Sequence, residues 1–448
     1  MYSKSFNLEI KKKIPSFKKN ITVDSDKSIS IRGFLIGAIS QDISSIKNVL
    51  ESEDVFSTIE CLQKLGVQIL KKGKGNYLVH GKGLGSLYSK KKLELNFGNS
   101  GTLARLLIGT LSTTPNINLK IKGDHSLNKR NMKKLIYLMS KFGATFLPKN
   151  KYNFPLKIIS SEMPVGIDYK ADVSAQLKSA VIFAALNSYG NTKISETYKS
   201  RNHTENMLRK NKNTINVKEG KINFIKIFGK RDLKNIKISV PGDPSSAAFY
   251  TALTLLNENS SIKIKDVCLN KTRIGFYNLL KKQGAKIKFK NLHLENNEPR
   301  GDIYVQSSNV KPLNASEKYY VNSTDEYPIL FVIAALTKGI SKFKGIGDLA
   351  NKESNRIKEM QSILRQVGVK SISNKNDIKI YGIGKFDMHK KKIYVKKLGD
   401  HRICMSAFIL ASLTGAKAKI NNFETVNTSS PSFLKIMKKL GASFEKEV

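Results

Sequence analysis

Apolar positions along this chain fall into two recurring patterns. In the first, an apolar run starts behind a short polar head and continues with few polar breaks. It reads KSISIRGFLIGAIS from Lys27, GNSGTLARLLIGTL from Gly98 and SAQLKSAVIFAAL from Ser174. It reads again as GDPSSAAFYTALTLL from Gly242, DEYPILFVIAAL from Asp325 and DHRICMSAFILASL from Asp400. A helix that is apolar on nearly every side has no face for water, so all six are predicted to be buried. In the second pattern, an amphipathic helix closes on Gly-Ala or Gly-Val and a strand follows: CLQKLGVQI, LMSKFGATF, LLKKQGAKI, ILRQVGVKS and IMKKLGASF. Gly66, Gly143, Gly284, Gly368 and Gly441 stand just past these helices, where left-handed backbone closes the last turn. MLRKNKNTINV at Met207 is a degenerate copy with Lys212 in the glycine's place.

The heads return every ~70–80 residues, the mark of a structural repeat. Six units of strand–helix–strand–helix–strands predict an α/β fold of two similar domains with three units each. The break falls near Val240–Gly242, with a cleft expected between the halves. A buried helix leaves four amide N–H groups and a partial positive charge at its N-terminus. Converging helix starts therefore predict an anion-binding region. Ser28, Thr102, Ser174, Asp243 with Pro244, and Ser323 or Thr324 are the expected caps or first-turn residues.

Composition narrows the class. The 448 residues are 40% hydrophobic, ample for a large core. No apolar run approaches the ~20 residues that span a bilayer, so no membrane association is expected. The start, MYSKSFNLEIKKKIPSF, lacks an apolar signal core and reads as mature protein. Cys61, Cys268 and Cys404 are far apart with no CxxC spacing, which predicts a cytoplasmic protein without disulfides or a metal site. The net charge of +43 raises a different class, a basic nucleic-acid-binding repeat protein. Against that class, lysine is spread along the whole chain. Its clusters at Lys11–Lys13, Lys90–Lys92 and Lys390–Lys392 lack interleaved aromatics for base stacking. Such a field instead draws in small anions.

The heads and their flanks carry Lys27, Arg32, Arg105, Arg130, Arg201, Arg356 and Arg402, with Gln176 and the carboxylates of Asp325 and Glu353 among them. Guanidinium groups suit bidentate contact with phosphate or carboxylate. Two acids within so cationic a set suit acid–base chemistry on an anionic substrate. Arg105 also reads as an ordinary helix-surface or ion-pair residue, and His125, His203 and His401 as structural hydrogen-bonding groups.

DKSIS with Arg32, GNSGT, GDHSLNKR, VSAQLKSA, SRNHTENML, PGDPSSAAF, TDEYP, NKESNRI, GDHR and SPSF follow one another from about Val23 to the C-terminus. In type and order they resemble the motifs of the enolpyruvylshikimate-phosphate synthase family, and VSAQLKSA is similar to its class II subgroup. The resemblance implies the enolpyruvyl transferase fold, an inside-out α/β barrel of βαβαββ-type units around buried parallel helices. It implies one lobe from 1–22 plus 242–448 and the other from 23–241. It implies transfer of the enolpyruvyl group of phosphoenolpyruvate to shikimate 3-phosphate by a monomer, without cofactor or metal.

Carried over by motif, Lys27, Ser28, Arg32, Ser174, Gln176, Arg201, Asp325 and Lys352 would contact shikimate 3-phosphate. Lys27, Gly101, Arg130, Gln176, Arg356 and Arg402 would contact phosphoenolpyruvate. Lys27, Asp325 and Glu353 would handle protons. Glyphosate is the family inhibitor that the Gly101 region implies. The sequence departs from the pattern at Asp24-Ser25, where Pro-Gly is usual and the change brings an extra acid near Lys27. It departs also at Ile31, Asn131, Asn202 and Asn355; Thr428 stands where some members have lysine. A sister family acting on a UDP-amino sugar is the nearer alternative, but it usually relies on a loop cysteine, and Cys404 lies inside an apolar run.

Overall fold

The structure is a computed structural model describing residues 5–90, 92–384 and 387–447. Lys91 of the Lys90–Lys92 run, and the first four residues of the N-terminal segment discussed above, lie outside the described residues. The chain forms two compact units. The terminal unit comprises Met1–Asp24, Pro241–His293 and Pro299–Val448; the central unit comprises Ser25–Val240 and Leu294–Glu298.

The repeat is visible in the sheets. Among the described residues there are six four-stranded sheets, and each contains one parallel strand pair flanked by an antiparallel neighbour. In the central unit, for example, Lys237–Ser239 lies parallel to Ile43–Lys47, which is antiparallel to Asn76–His80. In the terminal unit, Lys18–Thr22 runs parallel to Ser261–Cys268. There too, Asn7–Ile10 sits between Lys417–Ile420 and Phe444–Glu447. The repeats are therefore not closed in sequence order: an early strand completes a late sheet.

The six predicted apolar helices form as Lys27–Ile39, Gly101–Thr113 and Ala175–Leu186 in the central unit. Pro244–Leu256, Tyr327–Ala335 and His401–Thr414 form in the terminal unit. All residues of the last three are buried, as is every residue from Ile29 to Ile39. Each large aliphatic or aromatic side chain so buried contributes about 1.5–3 kcal/mol, which holds these helices inside whatever their intrinsic propensity. The Gly101 and Ala175 helices approach closely at Gly109, where an added Cβ would stand 2.4 Å from the Ala180 carbonyl oxygen. The five predicted glycines all adopt left-handed backbone, with φ between 82° and 97°. The degenerate copy at Met207 forms only the short helix His203–Leu208.

The caps refine the expected anion site. Ser174 and Asp243 cap as predicted, accepting from Leu177 N and Ser245 N, with Pro244 in the first turn. Ser28 and Thr102 lie inside the first turn; Asp26 and Ser100 just before them accept from Ile29 N and Leu103 N. A 3₁₀ turn over Thr324–Glu326 precedes the Tyr327 helix, and Asp400 caps the His401 helix through Arg402 N. Asp26, Asp243 and Asp400 place a carboxylate on a helix start themselves. The positive charge available to a ligand therefore comes from the side chains around the heads.

Candidate active site

In the central unit the heads of three buried helices meet. Lys27, the first residue of its helix, holds its ammonium 2.9 Å from Asp54 Oδ2. Asp54 lies in the first turn of Glu53–Lys64 and is itself buried. Arg32, one turn along the Lys27 helix, is 1% exposed. Its Nη1 donates to the Ser28 hydroxyl at 2.9 Å and to the Ser28 carbonyl at 3.0 Å. Its Nη2 donates to Ser179 Oγ at 3.1 Å and its Nε to Thr204 Oγ1 at 2.8 Å. Arg32 thereby fixes the Ser28 side chain and joins the Lys27 and Ala175 helices.

The other two heads are also joined. Arg105 Nη1 donates to the Gly101 carbonyl and to Gln176 Oε1, both at 3.0 Å, and Gln176 Nε2 donates to Thr102 Oγ1 at 3.1 Å. Arg105, which the sequence also allowed as a surface residue, is thus part of the cluster. Arg130 Nη2 donates to Asn99 Oδ1 at 2.7 Å. A Cβ at Gly101 would lie 2.8 Å from Arg105 Nη1 and 2.9 Å from Arg130 Nη1, so the glycine lets two guanidinium groups stand beside the helix start. Ser174 caps the third helix. Arg201 lies in the loop 197–202 between Asn191–Glu196 and His203–Leu208.

The terminal unit gathers the two predicted acids around one buried arginine. Arg356 is 1% exposed. Its Nη2 is 2.6 Å from Glu353 Oε2, its Nη1 3.5 Å from Asp325 Oδ1, and its Nε 3.0 Å from Asp400 Oδ2. Burial alone lowers the pKa of Arg356, but Asp400, Glu353 and Asp325 outweigh it and hold the pKa above its ordinary value. Asn355, where aspartate is usual, still caps the Arg356 helix by accepting from Lys358 N. Asp400 serves twice: one carboxylate receives Arg356 and Ser354 and also caps the His401 helix at Arg402 N. Arg402 is buried, with its guanidinium carbon 5.8 Å from the centre of the Phe249 ring. Its Nε and Nη1 have no hydrogen-bond partner among the described residues. A buried cation with donors unused is costly unless something negative completes it.

Lys352 pairs with Asp348 at 2.6 Å, and Tyr320 donates to the same oxygen at 2.9 Å. Thr428 Oγ1 lies 3.5 Å from His401 Nδ1. Asp24, the extra acid of the sequence, accepts from Ser432 N, while the partner the structure gives Lys27 is Asp54. Burial pushes the Cys61 thiol up to about 12 and raises that of Cys404 as well, so neither is disposed to act as a thiolate. Sequence reasoning missed Asp54 and Asp400, the anchors of Lys27 and Arg356. Asp54 reads as an acid in a first turn and Asp400 as a cap, so only their second contacts reveal the added role.

The central unit thus offers a cationic cluster where three helix starts meet, with the Lys27 ammonium among them, and the terminal unit offers two buried guanidinium groups, one of them ringed by three carboxylates. A sequence profile described as EPSP synthase (3-phosphoshikimate 1-carboxyvinyltransferase) matches residues 11–437. A relative from Caldicellulosiruptor saccharolyticus, named 3-phosphoshikimate 1-carboxyvinyltransferase, is 38% identical over 94% of this chain and 96% of its own. One of the same name from Bacillus subtilis is 34% identical over 96% and 98%. The solved EPSP synthase from Acinetobacter baumannii superposes with a TM-score of 0.84 at 32% identity, covering 99% of this chain and 100% of that one. The enolpyruvyl transferase NikO from Streptomyces tendae, at 12% identity and a TM-score of 0.76 over 99% of both chains, shares the fold. With its ordered motifs, its repeated sheets and its full-length relatives, this chain belongs to the EPSP synthase (3-phosphoshikimate 1-carboxyvinyltransferase) family.

Proposed function

We propose that the chain transfers the enolpyruvyl group of phosphoenolpyruvate to the 5-hydroxyl of shikimate 3-phosphate and releases phosphate. This is a step of the shikimate pathway to aromatic amino acids. The family membership carries the substrate pair. The structural observation that supports it best is Arg402, a buried guanidinium with Nε and Nη1 unmatched, at a helix start whose cap, Asp400, also anchors Arg356. Two such groups suit the carboxylate and phosphate of phosphoenolpyruvate, with Arg130 and Gln176 as further ligands beside Gly101. Lys27, Ser28, Arg32, Ser174, Gln176, Arg201, Asp325 and Lys352 are the proposed ligands of shikimate 3-phosphate.

Asp325 takes the proton of the 5-hydroxyl as its oxygen adds to C2 and C3 gains a proton, with Glu353 and Lys27 handling the proton traffic at C3 and at the leaving phosphate. The tetrahedral adduct then loses phosphate, and C3 gives back a proton to restore the double bond. Each positioned acid or base contributes about 10²–10⁴-fold. The fixed cations offset repulsion between two anionic reactants. The chain acts as a monomer in the cytoplasm, and glyphosate competes at the Gly101 region.

The test is phosphate release with both substrates and with each alone. Release that needs the pair supports the reading. Release with a UDP-amino sugar and phosphoenolpyruvate, but not with this pair, reassigns the substrate.

A further inference from the structure

The Ala175–Leu186 helix carries one charge inside its apolar body. The Lys178 side chain is 0% exposed, and its ammonium lies 2.7 Å from Glu196 Oε1 and 2.8 Å from Glu205 Oε1. Both carboxylates are buried as well. Glu196 ends the strand Asn191–Glu196, Glu205 sits in His203–Leu208, and the loop 197–202 with Arg201 runs between them. Glu196 Oε1 also accepts from Ser200 N at 2.9 Å and Ser200 Oγ at 2.6 Å. Lys178 reaches the Ser200 carbonyl at 3.4 Å. One ammonium therefore ties the helix to the strand, the loop and the next helix.

Clusters of this kind are poor stabilisers, because apolar side chains of like volume often do as well. What charge-assisted bonds supply is fixed distance and direction. The fixed points here are telling. Lys178 N donates to Ser174 O at 3.1 Å, one turn from the cap, and Ser200 directly precedes Arg201. Ser174 and Arg201 are among the ligands proposed above for shikimate 3-phosphate. We propose that Lys178, through Glu196, Ser200 and Glu205, is a positioning residue that sets the spacing of Ser174 and Arg201 for the 3-phosphate. This inference rests on the substrate pair assigned above.

The test separates the two substrates. The charge-neutral combination Lys178→Met, Glu196→Gln and Glu205→Gln avoids leaving a bare buried charge. In folded protein it is expected to raise the KM for shikimate 3-phosphate about 10–100-fold, since small misplacements of ligands cost that much. The KM for phosphoenolpyruvate should move less than about threefold, a split that general loosening of the fold would not give. Ser200→Ala, a smaller change, should raise the shikimate 3-phosphate KM about threefold in the same selective way, and it decides the matter if the combination does not fold. Unchanged or equally shifted KM values in the folded variants overturn the role of Lys178 while leaving the assigned reaction standing. An unaltered enzyme that does not turn over the pair removes both.

Discussion

Replacing Arg402 by Met should make the ligand-free protein more stable and the enzyme far worse. Arg402 is 4% exposed, and its Nε and Nη1 find no hydrogen-bond partner among the described residues. Leaving such donors buried and unmatched costs about 1–3 kcal/mol. Methionine is similarly long, unbranched and apolar, and can lie against Phe249, over which the guanidinium now stands. The variant should therefore regain about 1–3 kcal/mol. For a unit of some two hundred residues this raises the melting temperature by about 2–4 °C per kcal/mol. With phosphoenolpyruvate bound, the same change removes two charge-assisted hydrogen bonds of about 1.5–3 kcal/mol each. At about 1.4 kcal/mol per tenfold, kcat/KM for phosphoenolpyruvate falls roughly 10²–10⁴-fold. Thermal melting without ligand and with both substrates, together with initial rates over a phosphoenolpyruvate series, reads both effects. A variant that melts below the unaltered protein without ligand, or whose kcat/KM stays within about threefold, refutes the reasoning.

Asp325→Ala should lower turnover by about 10²–10⁴-fold, the worth of one positioned base. Shikimate 3-phosphate binding by calorimetry should change little, and turnover above a tenth of normal would deny Asp325 that role. Gly101→Ala places a Cβ 2.8 Å from Arg105 Nη1 and 2.9 Å from Arg130 Nη1, so both guanidinium groups must shift. Inhibition by glyphosate should weaken more than the affinity for phosphoenolpyruvate, and equal weakening in paired Ki and KM measurements would count against it. Gly109→Ala sets a Cβ 2.4 Å from the Ala180 carbonyl oxygen. Separating the two helices should cost about 1–3 kcal/mol; an unchanged melting temperature would contradict their close approach.

Much of this could be read in one dimension. The apolar helices, their heads and the five glycine C-termini are short-range features, each written in a dozen residues. Ser28 and Thr102, offered by the sequence as caps or first-turn residues, stand in the first turn, and Asp26 and Ser100 are the caps. The choice between the two roles is physical, because Ser, Thr and Asp at neighbouring positions all can accept from a first-turn amide and only the backbone decides which does. Arg105 remained open in the sequence because an arginine one turn into a helix serves a surface as readily as a site. Its bond to Gln176, on another helix, is what resolves it.

By itself, then, the sequence determined which segments must be buried, where they begin and end, and which ionisable groups stand at their starts. Burial pattern and the set of residues able to cap are local consequences of residue type. Tertiary structure alone decided which strand completes which sheet, as when Asn7–Ile10 joins Lys417–Ile420 and Phe444–Glu447. It alone decided which acid holds which base: Asp54 for Lys27, Asp400 for Arg356, Glu196 and Glu205 for Lys178. A chain of 78 basic and 35 acidic side chains allows a great many such pairings. Burial selects among them, since a charge removed from water persists only beside the particular partner that the packed elements bring within hydrogen-bond distance.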